Sequence, residues 1–238
     1  RAVRIIRAGA EKYAVDPEKI ALCGFSAGGH LCASLCVHFE DISDRDPEYQ
    51  AVSNRPDAAI LSYPVITSGE YAHRDSMVAL LGSEPTEKEL EYMSLEKHVT
   101  ADTPPCFLWQ TVTDATVPVE NSYLFAEACR RNGVCFAHHV FSEGVHGMSI
   151  ATEQWLEREF GVPYTLEQIR LLADAVSQGR TSYPEEKGAE ILADFGLDGR
   201  KKEKWTPDEK NAIRNTLKEV GIWPRLAEDW LSKIWQKN

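Results

Sequence analysis

The chain has 238 residues, 43% of them hydrophobic and 26% charged, the balance of a soluble globular protein able to bury a sizeable core. A formal net charge of −11 disfavours nucleic acid and anionic membrane surfaces as partners, since both repel an acidic protein. No apolar run approaches the roughly 20 residues of a membrane-spanning helix, and residues 1–7 carry arginines without the apolar core or cleavage site of a signal peptide.

Residues 1–13 read as a helix with Val3, Ile5, Ile6 and Ala10 on one side. It has no N-cap or preceding turn, so the chain is expected to begin inside an element. After a tight connection at Val15-Asp16-Pro17-Glu18, residues 19–23 form a first strand that stops at Gly24. Gly24-Phe25-Ser26-Ala27-Gly28 then fits G-x-S-x-G, the pattern of a nucleophile elbow. A strand that turns into a helix within a few residues forces Ser26 into a strained backbone conformation. It also leaves room only for small residues two positions to either side. The turn would lift the serine hydroxyl off the sheet and aim the Ala27 N–H where an oxyanion would form. Taken alone, the pattern also fits a glycine-rich turn without chemistry.

The helix after Ser26 is expected to run to about Phe39, followed by a polar loop over residues 41–56. Residues 57–63 form a second, buried strand closed by Pro64. A helix is expected at residues 76–81, and another begins near Thr86, with Glu89 completing a capping box. Residues 106–112 form a third strand. A helix over 120–131, ended by Gly133, leads to a fourth strand at 134–141. Strands alternating with helices predict a mainly parallel, helix-flanked sheet.

Beyond residue 150 the pattern is charged and almost wholly helical. Thr165-Leu166-Glu167-Gln168 and Thr206-Pro207-Asp208-Glu209 read as capping boxes, and Gly179, Gly196 and Gly221 mark helix ends. A last amphipathic helix spans residues 224–235, with Leu226, Trp230, Leu231, Ile234 and Trp235 on its apolar side.

Serine acyl transfer needs a base and a group that orients it, and reactive groups of a parallel sheet gather at the strands' carboxyl ends. Asp114 follows the third strand and His146 the fourth, giving the order Ser26, Asp114, His146. An aspartate after a strand is also a common turn former, and Glu120 is a competing acid. His146 lies between Gly144 and Gly147 and lacks an adjoining apolar face, which disfavours a purely structural role. His138 and His139 are neighbours on a strand, so they face opposite ways and cannot share a metal. His30, His38, His73 and His98 read as structural or surface residues.

The six cysteines, Cys23, Cys32, Cys36, Cys106, Cys129 and Cys135, include no C-x-x-C pair. Cys32 and Cys36 share a helix face, yet buried thiols in a reducing compartment account for the set better than a metal does. The expectation is a cytoplasmic protein with no metal and no cofactor.

Several segments together resemble the α/β-hydrolase esterases, in the branch of acetyl xylan esterase and related carbohydrate or lipase-like esterases. They are Asp16-Pro17-Glu18-Lys19-Ile20 with Gly24-Phe25-Ser26-Ala27-Gly28-Gly29-His30, then Ser62-Tyr63-Pro64-Val65-Ile66. Lys97-His98-Val99-Thr100, Thr103-Pro104-Pro105, Asp114 through Ser122, His146-Gly147 and the Trp223-Pro224 helix complete the match. The resemblance covers residues 1–152 and 220–236. It implies Ser26 as nucleophile, His146 as base, Asp114 as its orienter and the Ala27 N–H as one oxyanion donor. It further implies a carbohydrate deacetylase acting on a small-molecule or oligosaccharide ester such as acetylated xylan or xylo-oligosaccharide, with no cofactor.

The chain departs from this family in two ways. The strands and His-Gly-Gly motif expected upstream of the elbow are absent, so the fold is expected to be N-terminally truncated, with an exposed sheet edge. Losing one oxyanion donor costs about 2.7–4 kcal/mol in the transition state. The second departure is a helical insertion, which divides the chain into a hydrolase core at 1–151 and 221–238 and an insertion at 152–220. The insertion is either a lid or a solvated decoration. The alternatives to an esterase are a prolyl-oligopeptidase-type serine peptidase and a catalytically impaired remnant.

Overall fold

The structure is a computed structural model and describes residues 1–41, 43–159, 163–181, 183–198 and 205–236, the side chains of 163–165 excepted. The chain divides into two compact units, residues 1–150 with 219–238, and residues 151–218.

The first unit is built on a four-stranded parallel sheet in the order β1-β2-β3-β4. In chain order it contains α1 (Ala2–Ala8), α2 (Ala10–Tyr13), β1 (Ala21–Phe25), α3 (Ala27–Val37), α4 (Pro47–Gln50) and β2 (Ala58–Ser62). It continues with α5 (Arg74–Leu81), α6 (Glu87–Tyr92), a 3₁₀ turn at Leu95–Lys97, β3 (Cys106–Thr111), α7 (Glu120–Arg131) and β4 (Phe136–Phe141). Strand register pairs Gly24 with Leu61, Leu61 with Leu108 and Leu108 with His138, so the carboxyl ends of all four strands line up on one edge.

The two central strands explain the sheet's stability. Every residue of β2 and β3 is buried, as expected of parallel strands covered on both faces. Ala59, Leu61, Cys106 and Leu108 pack with Cys32, Ala33 and Cys36 of α3 and with Phe125, Ala128 and Cys129 of α7. Each large apolar side chain in this layer contributes about 1.5–3 kcal/mol by leaving water. Phe107 and Trp109 point to the opposite face, where they meet Trp230 and Trp223 of the last helix.

The boundaries depart from the sequence expectation for identifiable reasons. The first helix breaks at Gly9, where a Cβ would lie 2.8 Å from the Tyr13 ring. Strand β1 begins two residues late because the Ile20 N–H donates to the Asp57 carboxylate, at 2.9 Å. That carboxylate also accepts from Arg7, at 2.6 Å, and so ties α1 to the sheet. The polar segment 41–56 contains α4, which starts on Pro47 with the Asp46 side chain accepting from the Glu48 N–H. Helix α5 starts at Arg74, ahead of Ser76, and β4 starts at Phe136. The capping box at Thr86 and Glu89 is formed in full. Gly133 carries φ +69°, the left-handed conformation that closes α7.

The second unit contains α8 (Glu153–Leu156), α9 (Pro163–Ser177), α10 (Lys187–Asp194) and most of α11 (Pro207–Val220). Helix α9 starts on Pro163, so Thr165 lies within its first turn and is not the cap; its side chain falls outside those described. The box at Thr206 forms, with the Glu209 carboxylate accepting from the Thr206 N–H at 2.8 Å. Helices α9 and α10 approach closely at Gly188, where a Cβ would come within 2.0 Å of Ser177 Oγ. Arg214 reaches Glu153 and Glu157, at 2.6 and 2.7 Å, and Lys210 reaches Glu157 at 2.7 Å.

Helix α12 (Trp223–Trp235) returns the chain to the first unit, one residue earlier than expected and with Pro224 in its first turn. Trp223, Ala227 and Ile234 are its buried residues. Among the described residues, no helix is long and apolar enough to cross a membrane.

Candidate active site

Ser26 joins β1 to α3 with φ 54° and ψ −119°, a conformation that a residue bearing a Cβ occupies only under constraint. Its N–H donates to the Ser62 carbonyl at 3.0 Å, and its own carbonyl accepts from the Val65 N–H at 3.2 Å. The exit of β2 therefore holds the turn from both sides. Gly24 is indispensable here, because a Cβ would lie 2.1 Å from the Gly28 carbonyl oxygen. The expectation for Gly28 itself fails: a Cβ there meets nothing within 4 Å. The crowded partner is Gly29, whose Cβ would come within 2.7 Å of the Pro64 ring. Phe25, the residue between Gly24 and Ser26, packs against Tyr63 and Trp223 with ring centroids 5.8 Å apart in each case.

Asp114 lies in the turn after β3, with its side chain 1% exposed. One carboxylate oxygen accepts the N–H groups of Thr116 and Val117, both at 2.9 Å, which is the turn-forming role considered for it. The other oxygen lies 2.7 Å from Nδ1 of His146, so Asp114 fills both roles at once. An ionised carboxylate can only accept, so Nδ1 carries the proton and donates. Nε2 is then left to accept from the Ser26 hydroxyl, whose oxygen is 2.8 Å away. Ser26, His146 and Asp114 thus form one directed chain of hydrogen bonds. Asp114, not Glu120, is the acid in contact; Glu120 opens α7.

The loop carrying His146 is tied down ahead of the histidine by threonines from the end of β3. Thr111 and Thr113 each donate to the Gly144 carbonyl at 3.0 Å, and the Gly144 N–H donates back to Thr113 Oγ1 at 2.9 Å. Gly144 has φ +158°, and a Cβ on it would lie 2.6 Å from Thr111 Cγ2 and 2.8 Å from Met148 Sδ. Ala27 is the first residue of α3 and exposed, so its N–H has no acceptor within the helix.

The remaining histidines are structural. His98, His38 and His30 place Nε2 on the successive carbonyls of Glu91, Tyr92 and Met93, at 2.9, 2.9 and 3.1 Å. Three imidazoles therefore satisfy the end of α6, whose last carbonyls have no partner inside the helix. His73 pairs with Ser76 Oγ at 2.8 Å. On β4, His138 faces Ser122 at 3.0 Å and His139 faces Phe107, on opposite sides of the sheet. Cys32, Cys36, Cys106 and Cys129 are buried, and burial pushes the Cys32 thiol up to about 11. Cys23 and Cys135 depart from the expected buried set and are exposed.

Sequence reasoning assigned no role to Tyr63, Trp223, Thr113 or Asn121, although all but Thr113 lie in the family-like segments. Asn121 is fully buried and bridges two loops, accepting from the Ile66 and Thr67 N–H groups and donating to the Tyr71 and Pro118 carbonyls. Besides its place in the family-like segment from Asp114 to Ser122, a polar residue on the first turn of an otherwise core-facing helix was an available signal.

The BD-FAE family model matches residues 1–129, more than half of the chain. The chain is 55% identical over 168 residues to the endo-1,4-beta-xylanase B of Butyrivibrio fibrisolvens, covering 71% of this chain and 26% of that protein. It is 32% identical over 154 residues to an acetylxylan esterase of Xylanibacter ruminicola, covering 63% of this chain and 30% of that protein. The chain thus spans less than a third of the length of either relative. Among solved structures, the acetyl ester-xyloside bifunctional hydrolase of Caldicellulosiruptor lactoaceticus superposes with a TM-score of 0.61 at 42% identity. That match covers 65% of this chain and 59% of the other. The chain has the α/β-hydrolase fold and belongs to the BD-FAE family.

Proposed function

We propose that this chain is a serine hydrolase that removes a small acyl group, acetyl above all, from an esterified carbohydrate. The observation that carries the proposal is the chain of hydrogen bonds from Ser26 Oγ through His146 to Asp114, at 2.8 and 2.7 Å. Ser26 Oγ attacks the ester carbonyl while Nε2 of His146 takes its proton. The imidazolium so formed is stabilised by the buried Asp114 carboxylate. The Ala27 N–H donates to the oxyanion of the tetrahedral intermediate, which is the step where preorganised donors count most. His146 then protonates the leaving sugar oxygen and the C–O bond breaks, leaving Ser26 acylated. Water, deprotonated by His146, attacks the acyl-enzyme and releases the acid and free serine. No cofactor enters any step. The choice of an acetylated xylan or xylo-oligosaccharide is supported by the names of the relatives, an acetylxylan esterase and an acetyl ester-xyloside hydrolase.

A fluorophosphonate probe tests the chemistry, with peptide mapping to find the labelled residue. Labelling of Ser26 that disappears in Ser26→Ala is expected; a folded protein that stays unlabelled would sink the proposal. Parallel assays on acetylated xylan, p-nitrophenyl acetate and a proline-containing peptide amide test the substrate class. Acetate release with no amide cleavage is expected, and preferential amide cleavage would overturn the ester assignment.

A further inference from the structure

His146 is fixed ahead of its position by Gly144 and the two threonines. Behind it, Met148 is fully buried and the backbone of Ser149 is held on both sides. The Ser149 N–H donates to the Tyr63 hydroxyl oxygen at 3.2 Å, and the Ser149 carbonyl accepts from Trp223 Nε1 at 2.8 Å. We propose that Tyr63 and Trp223 are positioning residues for His146, acting as a two-sided clamp on the Ser149 backbone; this rests on the triad assignment above.

Backbone strain marks the same place. Among the described residues, six non-glycine positions have positive φ, and three of them meet here: Ser26 at 54°, Tyr63 at 36° and Ser149 at 53°. Such conformations are unfavourable for residues with a Cβ and persist only where surrounding contacts over-determine them. For Ser149 those contacts are the Tyr63 hydroxyl and the Trp223 indole. For Tyr63 they include a backbone hydrogen bond to the Trp109 carbonyl at 2.7 Å.

Tyr63 also joins the nucleophile to the base. Its neighbours Ser62 and Val65 hold the Ser26 backbone, while its ring lies edge-on to His146, with centroids 5.0 Å apart and planes 71° apart. One short segment after β2 thus sets the serine through its main chain and the histidine through a side chain. Trp109 supports both arms of the clamp. Its ring meets Tyr63 at 5.0 Å in a T-shape and stacks on Trp223 at 5.2 Å with a 21° tilt. The indole N–H of Trp109 is itself used, donating to Ser62 Oγ at 2.7 Å. Burial pushes the Tyr63 phenol up to about 12, so it stays protonated at neutral pH and its oxygen is available to the Ser149 N–H.

Tyr63→Phe and Trp223→Phe test the clamp, since each removes the polar atom on Ser149 and keeps an aromatic ring in the core. A 3-benzothienylalanine at position 223, which lacks the N–H but keeps the indole shape, serves if Trp223→Phe fails to fold. With p-nitrophenyl acetate, kcat is expected to fall roughly three- to tenfold in each variant with KM unchanged. The acidic limb of the kcat/KM profile should move as the His146–Asp114 contact loosens. The downfield proton resonance of the His146 Nδ1–H, identified by its absence in His146→Gln, should broaden in both variants at temperatures where each is fully folded. That resonance needs no turnover. If the wild type is inactive but the resonance broadens in the variants, the esterase assignment falls and the clamp stands. A resonance left sharp, with kcat either unchanged or falling only with the melting temperature, overturns the clamp.

Discussion

Ser26 and His146 share one hydrogen bond but are held in place by different means. Ser26 is set by a local turn, in which a strand ends, a helix begins at Ala27 and Gly24 must pass within reach of the Gly28 carbonyl, and by the exit of β2, where Ser62 and Val65 hold its backbone. His146 is set by residues far away in the chain. Asp114 lies 32 residues before it, and the contacts on Ser149 come from 86 residues upstream and 74 downstream. Local dictation compresses a site into a five-residue pattern, whereas distributed dictation leaves no pattern at all. Damage should differ accordingly: substitutions at the elbow should break the fold and the chemistry together, and those at the base loop should reduce rate before stability.

The largest expected effect separates chemistry from strain at Ser26 itself. Ser26→Ala should lower ester turnover by roughly a thousandfold or more with little change in melting temperature. Ser26→Gly should abolish turnover equally but raise stability by about 1 kcal/mol, because glycine occupies φ 54° without penalty. A glycine variant no more stable than the alanine variant in thermal unfolding would show that the turn is unstrained.

Next comes the contrast between the two glycines of the motif. Gly24→Ala places a methyl 2.1 Å from a backbone oxygen and should cost at least about 1–3 kcal/mol, with loss of probe labelling. Gly28→Ala meets open space within a helix and should be neutral or stabilising by up to about 1 kcal/mol. Urea unfolding of the pair measures both, and equal destabilisation would refute local crowding as the basis of the motif.

The same contrast governs how far the sequence could be read. The strands were legible because β2 and β3 are continuous apolar runs, and the Ser-Asp-His order was legible because each residue follows a strand. The crowding at Gly29 was not, since it depends on Pro64, which becomes a neighbour only once β1 pairs with β2. Tyr63 and Trp223 stood inside family-like segments without a role of their own. Their polar atoms acquire meaning only through Ser149, and nothing in the spacing of residues 63, 149 and 223 forecasts that meeting. Helix α4 was missed for a different reason: Asp46-Pro47-Glu48 is a legible start, but one turn is too short to show periodicity.

On the base side, Gly144→Ala should leave the sheet intact and shift the loop, since its methyl would crowd Thr111 and Met148 at 2.6 and 2.8 Å. A displacement approaching 1 Å at a catalytic group can cost on the order of 100-fold, so kcat should fall by roughly 10- to 100-fold. Melting temperature should drop less than in Gly24→Ala. If stability falls further than in the elbow variant, the base loop is as integral to folding as the elbow, and the distinction between the two supports collapses.

The smallest expected effect tests whether the base side also yields first to acid. His138 lies on β4, the strand leading into the His146 loop, and its Nε2–H donates to Ser122 Oγ, whose own proton goes to the Val119 carbonyl. The Tyr123 ring covers it at 5.6 Å and His139 is its neighbour in sequence. Burial first, and the adjacent His139 second, lower its pKa from 6.5 to about 4. The unfolded chain therefore binds this proton more readily than the folded one between pH 6.5 and about 4. Above that window the group is neutral in both states and contributes no pH dependence; as pH falls through it, the folded state loses stability progressively. His138→Gln can keep a donor to Ser122 but cannot titrate, so its melting temperature should fall less steeply across that window. Burial also lowers the pKa of His30 on α3, so hydrogen exchange should show acid-induced protection loss in α3 as well, and His138→Gln should relieve it in β4 and α7 only. Equal relief across all four elements, or none, would mean that acid acts on the sheet as a whole, and that the base side has no separate weak point.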